Sequence, residues 1–348
     1  MNSSPPCIPE PADVIRVRFA DLLERLRSAL LRLGFEAEDA LLAARLFAET
    51  TRDGVYTHGA RRFPRLAAMV QNGAVVPTAR PVHLASFGAL ERWDGQSGPG
   101  NLNAWRSMDR AIELARQFGI GCLALANTNH WMRGGSYGWQ AADAGMIGIC
   151  WTNTMPNLPA WGGTTPGLGN NPLVLAVPRR SGALVLDVAM SQFSYGALEA
   201  YRLRGERLPV IGGFDADGQL TTDAGAIEAT KRAIPIGYWK GAGLSLMLDL
   251  IGALLSGGKL TAEIPEDSLR ESGVSQVFVA IGSDDRFGRI ADEAADEAIR
   301  FLKSSRPAGS TAVRYPGEQT LAIRAENMER GVPVERSLWA ELEQLANA

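Results

Sequence analysis

The chain has 348 residues, 46% of them hydrophobic and 21% charged, with a formal net charge of −3. That length exceeds one ordinary hydrophobic core, so two lobes of a globular protein are expected. The slightly negative balance gives no global reason to bind nucleic acid or an anionic membrane, and neither is expected as a partner.

The start, MNSSPPCIPEPADV, has no basic segment followed by an apolar core, unlike a secretory signal. No stretch approaches the ~20 apolar residues of a membrane span, so a cytoplasmic location is the expectation. Residues 14 to 18 (VIRVR) alternate like a short strand. A first helix follows, with Leu23, Leu26, Leu30 and Leu33 at helical spacing and Gly34 as its stop. A second covers Ala37 to about Thr50, and a third runs from about Ala60 to Asn72. After Pro77 the pattern changes. Short β-rich runs (PVHLASF, GCLALAN, MIGICWTN, PLVLAVP, ALVLDVAM) alternate with helical stretches near 101–118, 134–144 and 192–204. This predicts a mixed or parallel sheet covered by helices. An apolar helix (GAGLSLMLDLIGALLSG), a strand (GVSQVFVAI) and an amphipathic helix over 289–303 come next. Helices over 318–330 and 336–347 close the chain.

Several nucleotide and metal signatures are missing. No G-x-G-x-x-G follows a strand: Gly167-Leu168-Gly169 comes closest, but Pro172 stands where the third glycine belongs. Walker A is absent as well. Asp215-Ala216-Asp217-Gly218 opens like a calcium loop, yet the twelfth position is Ala226, so the segment reads as a turn. Three dispersed histidines and three cysteines without a CxxC pair give no metal site and no redox dithiol. Cys122 and Cys150 lie in apolar runs and read as reduced, buried thiols.

The richest segment is His58-Gly59-Ala60-Arg61-Arg62-Phe63-Pro64-Arg65, an imidazole beside three guanidinium groups. An imidazole titrates near neutrality and can pass a proton to a nascent oxyanion. A guanidinium can grip a carboxylate through two parallel hydrogen bonds. A helix beginning near Ala60 would set His58, Arg62 and Arg65 along one face. By itself the octet also fits a solvated basic helix start. His130, in ANTNHWMRGGSYGW, follows a β-run where ligands settle in α/β proteins. Asn127, Asn129 and Arg133 beside it strengthen a binding reading over a structural one. His83, inside a strand, reads as structural. Tyr238-Trp239-Lys240-Gly241 places a cation at a helix start, against the dipole, which points to an anion nearby or to a solvated lysine.

The strings GVYTHGARRFPR, ERWDGQSGPGNLNA, NHWMRGGSYGWQAADAGMIGICWTNT, NNPLVLAVP, DVAMSQFSYG, GYWKGAGLSLMLD and RYPGEQ together resemble the type 2 malate/L-lactate dehydrogenase family. The likeness runs from about residue 14 to 345. It implies an α/β fold with a non-Rossmann, mixed-sheet cofactor domain carrying helices on its faces (residues 81–309). A mainly helical domain from the two termini (residues 1–80 with 310–348) would carry the catalytic histidine. The implied activity is reduction of the 2-keto group of a sugar-derived keto acid by NADH, with NADPH possible, and His58 as proton donor. Cofactor contacts are implied for Ala183, Leu184, Val185, Leu186, Asp187, Val188 and Ala189, for Trp239 and Lys240, and for Gly317, Glu318 and Gln319. Arg62 is expected on the substrate carboxylate or carbonyl, with His130 and Arg133 on the rest of the substrate. A homodimer with shared active sites is implied too. Other 2-keto or 2-hydroxy acids, ureidoglycolate or a cyclic imine carboxylate remain open as substrates, as does a non-catalytic sugar-acid-binding role.

Overall fold

The computed structural model describes residues 13–282, 285–308 and 312–347. Cys7 lies outside them. Strand β1 (Val14–Val17) leads into α1 (Phe19–Arg32) and α2 (Ala37–Arg52). Two 3-10 turns, Tyr56–His58 and Ala60–Arg62, precede α3 (Phe63–Gln71). Next come β2 (Val82–Phe87), β3 (Leu90–Asp94), α4 (Gly100–Phe118), β4 (Ile120–Asn129), α5 (Gly135–Asp143) and β5 (Ile147–Thr152). A small hairpin of β6 (Leu158–Pro159) and β7 (Pro166–Leu168) is followed by β8 (Leu173–Val177), β9 (Leu184–Val188) and α6 (Tyr195–Leu203). The hairpin of β10 (Gly213–Phe214) and β11 (Leu220–Thr221) precedes α7 (Ala224–Thr230) and α8 (Trp239–Ser256). The chain ends with β12 (Ser272–Ile281), α9 (Asp285–Lys303), α10 (Glu318–Arg330), β13 (Val332–Glu335) and α11 (Arg336–Asn347).

The sheet is mixed, as expected, and mostly antiparallel. Its order is β2-β3-β4-β12-β5-β8-β9, and only β3 with β4 pair in parallel. The α4 crossover separates that pair, as parallel neighbours require, whereas β8 and β9 are joined by a short turn that permits only antiparallel pairing. Strand β12, from late in the chain, lies antiparallel between β4 and β5. The ends of β4, β5 and β9 therefore meet the beginnings of β8 and β12 on one edge.

Three apolar clusters hold the layers. One joins Leu22, Leu26, Phe47, Phe63 and Leu66 to Val332, Val334 and Leu342, so β13 completes the N-terminal helices from the far end of the chain. The sequence reading held no strand there, because β13 has meaning only when paired with β1 (Val14 opposite Glu335). Leu102 and Met132 also enter this cluster, so its packing crosses the expected domain boundary. A second cluster sits under α4 and α5 (Leu123, Trp131, Tyr137, Phe278), and a third lies on the other face with Trp151, Leu198, Ile227 and Val277.

Two details of the sequence reading change. The third helical run opens at Ala60 as a 3-10 turn and becomes α-helical at Phe63, so Arg62 and Arg65 lie on it while His58, before Gly59, does not. Gly59 explains it: a Cβ there would lie 2.4 Å from Thr51 Oγ1, and its φ of −90° with ψ of −141° breaks the helix. The apolar α8 has 18 residues and a mean hydropathy of 1.2, which is long and apolar enough to cross a membrane by length and composition alone. Only 33% of it is buried within the chain. Leu244, Leu246, Met247, Leu250, Ile251 and Leu254 are exposed, while Asp249 is buried and accepts hydrogen bonds from Asn153 Nδ2 and the Thr261 amide.

Candidate active site

The octet from His58 to Arg65 is folded against the strand edge described above. Arg65 donates to Glu271, just before β12, at 2.9 Å, and Arg61 donates to Glu199 on α6 at 3.0 Å. Gly196 at the start of α6 has no room for a Cβ, which would stand 2.6 Å from Thr57 Cγ2. These contacts place the His58 turn beside the loop after β4. There the His58 and His130 rings lie nearly parallel, 12° apart in plane, with centroids separated by 5.6 Å.

The two imidazoles are held differently. His58 Nδ1 shares a hydrogen bond with Thr57 Oγ1 at 3.2 Å. His130 Nδ1 accepts the Met132 amide at 3.0 Å. Neither Nε2 has a partner among the described residues. Burial first, then the charges of Arg62, Arg133 and Arg65, depress His58 to a pKa of about 4. Burial likewise drives His130 well below the ordinary imidazole value, with Arg62, His58 and Arg65 adding to it.

Among the guanidinium groups, Arg62 stands out. It makes no hydrogen bond or ion pair among the described residues, and burial with the neighbouring Arg65 charge lowers its pKa to about 10. A cation so enclosed and unpaired is a ready acceptor for an anion. Arg133, expected on the substrate, is instead committed in part: its side chain donates to Asp53 at 2.7 Å, and its Nε has no partner. Arg324 of α10 grips the same carboxylate at 2.8 and 2.7 Å, Arg52 adds a contact at 2.9 Å, and Arg324 also stacks on Trp139. Burial alone would raise the Asp53 pKa, but the Arg324 hydrogen bonds and the Arg133 and Arg52 charges outweigh it and hold it at about 2. The sequence reading missed Asp53. Its signal was an acidic residue at a helix C-terminus, where the dipole disfavours it.

Strand β9 ties the remaining expected residues together. Its alternation sends Ala183 and Val185 into the core and leaves Leu186 exposed. The Asp187 carboxylate accepts the Gly135 amide at 2.7 Å, at the start of α5. Its pKa is raised, chiefly by desolvation against the surrounding protein, with Arg133 and that amide opposing. Pro316 accepts the Val185 amide at 3.2 Å and brings Gly317 onto the strand, where a Cβ would meet Val185 N at 3.1 Å. Glu318 and Gln319 are engaged by Lys303 and Arg314. Just past β9, Met190 accepts the Ile236 amide and Ser191 bridges to Pro235, which sets Trp239 and Lys240 at the other end of the same strand. The three stretches are thus brought together along β9.

The Lys240 side chain has no ion pair among the described residues, it sits at the N-terminus of an 18-residue helix, and the Trp239 indole is 67% exposed. His83 is exposed and bonded to Ser86, and Asp215 caps the turn of the β10–β11 hairpin. Burial pushes the Cys122 thiol up to about 11 and raises Cys150 well above the ordinary thiol value, which leaves both unreactive.

The mixed-sheet α/β fold thus brings two imidazoles together beside a guanidinium that has no ion pair among the described residues. The chain belongs to the malate/L-lactate dehydrogenase family, whose profile matches residues 17–343. It is therefore an oxidoreductase, and a dehydrogenase family implies a nicotinamide cofactor. It is 47% identical over 333 residues to a 2,3-diketo-L-gulonate reductase of Citrobacter koseri, and 46% identical over 333 residues to one of Escherichia coli. Each alignment covers 95% of this chain and 100% of the relative. The solved malate dehydrogenase of Pyrococcus horikoshii superposes with a TM-score of 0.87 at 29% identity, covering 97% of this chain and 96% of that one.

Proposed function

We propose that this chain reduces the 2-keto group of a sugar-derived diketo acid, of the 2,3-diketo-L-gulonate class, with NADH or NADPH as the hydride donor. The observation that carries this reading is the pairing of two imidazoles with free Nε2 atoms beside an unpaired Arg62. The names of the relatives point to the same substrate class.

The bound dinucleotide supplies a hydride to the carbonyl carbon. The chain supplies placement and charge. Arg62 holds the substrate carboxylate, and Lys240 and Trp239, with the β9 stretch, are the residues that would hold the dinucleotide. His58 delivers its Nε2 proton to the developing alkoxide. In the free protein His58 is neutral at pH 7, because three guanidinium charges and burial oppose its protonation. A substrate carboxylate on Arg62 cancels part of that field, so substrate binding favours the charged, proton-donating form.

The exposed leucines of α8 support a homodimer, since an apolar stripe of this kind suits a second copy better than water. We assign the chain to the cytoplasm on the same family reading, and we propose a mainly helical lobe built from both termini. The test is an absorbance assay at 340 nm with each cofactor against 2,3-diketo-L-gulonate and a panel of 2-keto acids, ureidoglycolate and cyclic imine carboxylates. Turnover of the diketo acid with the highest kcat/KM is expected. A higher value for any other panel member overturns the substrate assignment, and binding without turnover of any member overturns the enzyme reading.

A further inference from the structure

The backbone makes the two parallel imidazoles chemically unequal. A backbone N–H can only donate, so the Met132 amide fixes His130 Nδ1 as an unprotonated acceptor and puts the ring proton on Nε2. The segment that does this is built to hold. Met132 adopts a φ of +65°, a left-handed conformation that an unbranched residue takes only under constraint. Its neighbours supply the constraint: Trp131, 1% exposed, is buried in the cluster under α4, and Met132, 8% exposed, in the cluster of the N-terminal helices. His130 is pinned between two cores.

We propose that His130 is a specificity-determining residue, a permanently neutral imidazole whose Nε2–H donates to an oxygen on the substrate carbon next to the reducible keto group. The proposal rests on the keto-acid reading above and deepens it. A second proton on His130 would displace the Met132 amide. It would also place an imidazolium beside Arg62 and Arg65 from the octet and next to His58. The carboxylates nearby are already engaged: Glu271 by Arg65, Asp53 by Arg133, Arg324 and Arg52, and Asp187 by the Gly135 amide. His58, with only a hydroxyl on Nδ1, is under no such lock. Of the pair, His58 therefore carries the mobile proton and His130 the fixed one. The rings stand side by side with 5.6 Å between centroids, which brings both imidazoles within the span of one small substrate. A substrate lacking the second oxygen leaves the His130 donor unsatisfied, and such a site discriminates strongly.

The test compares kcat/KM for hydroxypyruvate, which carries an oxygen on C3, with that for pyruvate, which does not, in wild type, His130→Leu and His130→Gln. His130→Leu should lower the hydroxypyruvate value about 10- to 100-fold and the pyruvate value less than about 3-fold, with His130→Gln recovering most of the loss. Equal losses on both acids, or no loss on either, overturn the proposal. The chain has only three histidines, so 15N-labelled imidazole spectra can read the tautomer directly. His130 should keep a protonated Nε2 and a bare Nδ1 from about pH 6 to 8. A titrating or Nδ1-protonated His130 overturns the inference with the keto-acid reading intact, whereas a wild type that turns over neither these two acids nor 2,3-diketo-L-gulonate overturns the keto-acid reading itself.

Discussion

Arg62 and Arg110 are the same residue in opposite electrostatic settings. Arg110, on α4, is gripped by Glu91 at 2.7 and 3.0 Å and by Glu113 at 2.8 Å, and these hydrogen bonds raise its pKa. Arg62, behind the His58 turn, has no such partner, and its pKa falls to about 10. The α4 surface is charge-balanced and does structural work. The region around His58 is left unbalanced, at a cost to the folded state, as the proposed binding of an anionic substrate there requires.

The largest expected break of this contrast is His58→Asn. Turnover should fall about 10²- to 10⁴-fold with cofactor affinity unchanged, the usual size of a lost general acid. Steady-state kinetics with a fluorescence titration of NADH checks it, and retained turnover would remove His58 from its role.

Asp53 is the counterweight that keeps part of the cleft balanced. Asp53→Asn leaves Arg133, Arg52 and Arg324 facing one another, and should cost about 3–5 kcal/mol in denaturant unfolding. A change below about 1 kcal/mol would mean the hub is structurally idle.

The pH dependence sharpens the picture further. The folded pKa of His58, about 4, lies below its ordinary 6.5, so unfolding takes up a proton between these values. Stability is complete above about pH 6.5 and falls by up to about 3 kcal/mol as pH drops to 4. Asp53, held at about 2 against 3.8, extends the loss from about pH 4 down to 2. His130, also held well below the ordinary imidazole value by burial, adds to the same limb, so urea midpoints measured across pH should show the upper limb become shallower without vanishing in His58→Asn, and an unchanged limb would disprove the assignment.

Arg62→Lys should raise KM about 10- to 100-fold, because a point ammonium cannot reproduce a bidentate fork. Arg110→Lys, already neutralised by its carboxylates, should leave kinetics untouched. Equal effects in the two variants would erase the comparison.

The smallest effect is expected at Lys240. Lys240→Ala should weaken NADH binding several-fold, in line with about 1 kcal/mol at a helix terminus, with no loss in thermal stability. Unchanged affinity together with a lower melting temperature would instead mark a lysine stem packed over Trp239.

The sequence by itself determined most elements and the chemical cast. Helical spacing marked α1, α2 and α4, the β-rich runs marked β4, β5, β8, β9 and β12, and the octet marked His58 and Arg62 from residue type alone. These are local signals, carried by periodicity and side-chain chemistry within a few residues. Tertiary structure decided the rest. Strand β13 exists through its pairing with β1, some 300 residues away. The helical face expected for the octet dissolved because Gly59 packs against Thr51. Arg133, read as a substrate contact, was drawn to Asp53, a residue 80 positions distant. Whether a guanidinium is free or paired depends on which carboxylates folding brings within hydrogen-bond reach, and that distance is not written in any local stretch of the chain.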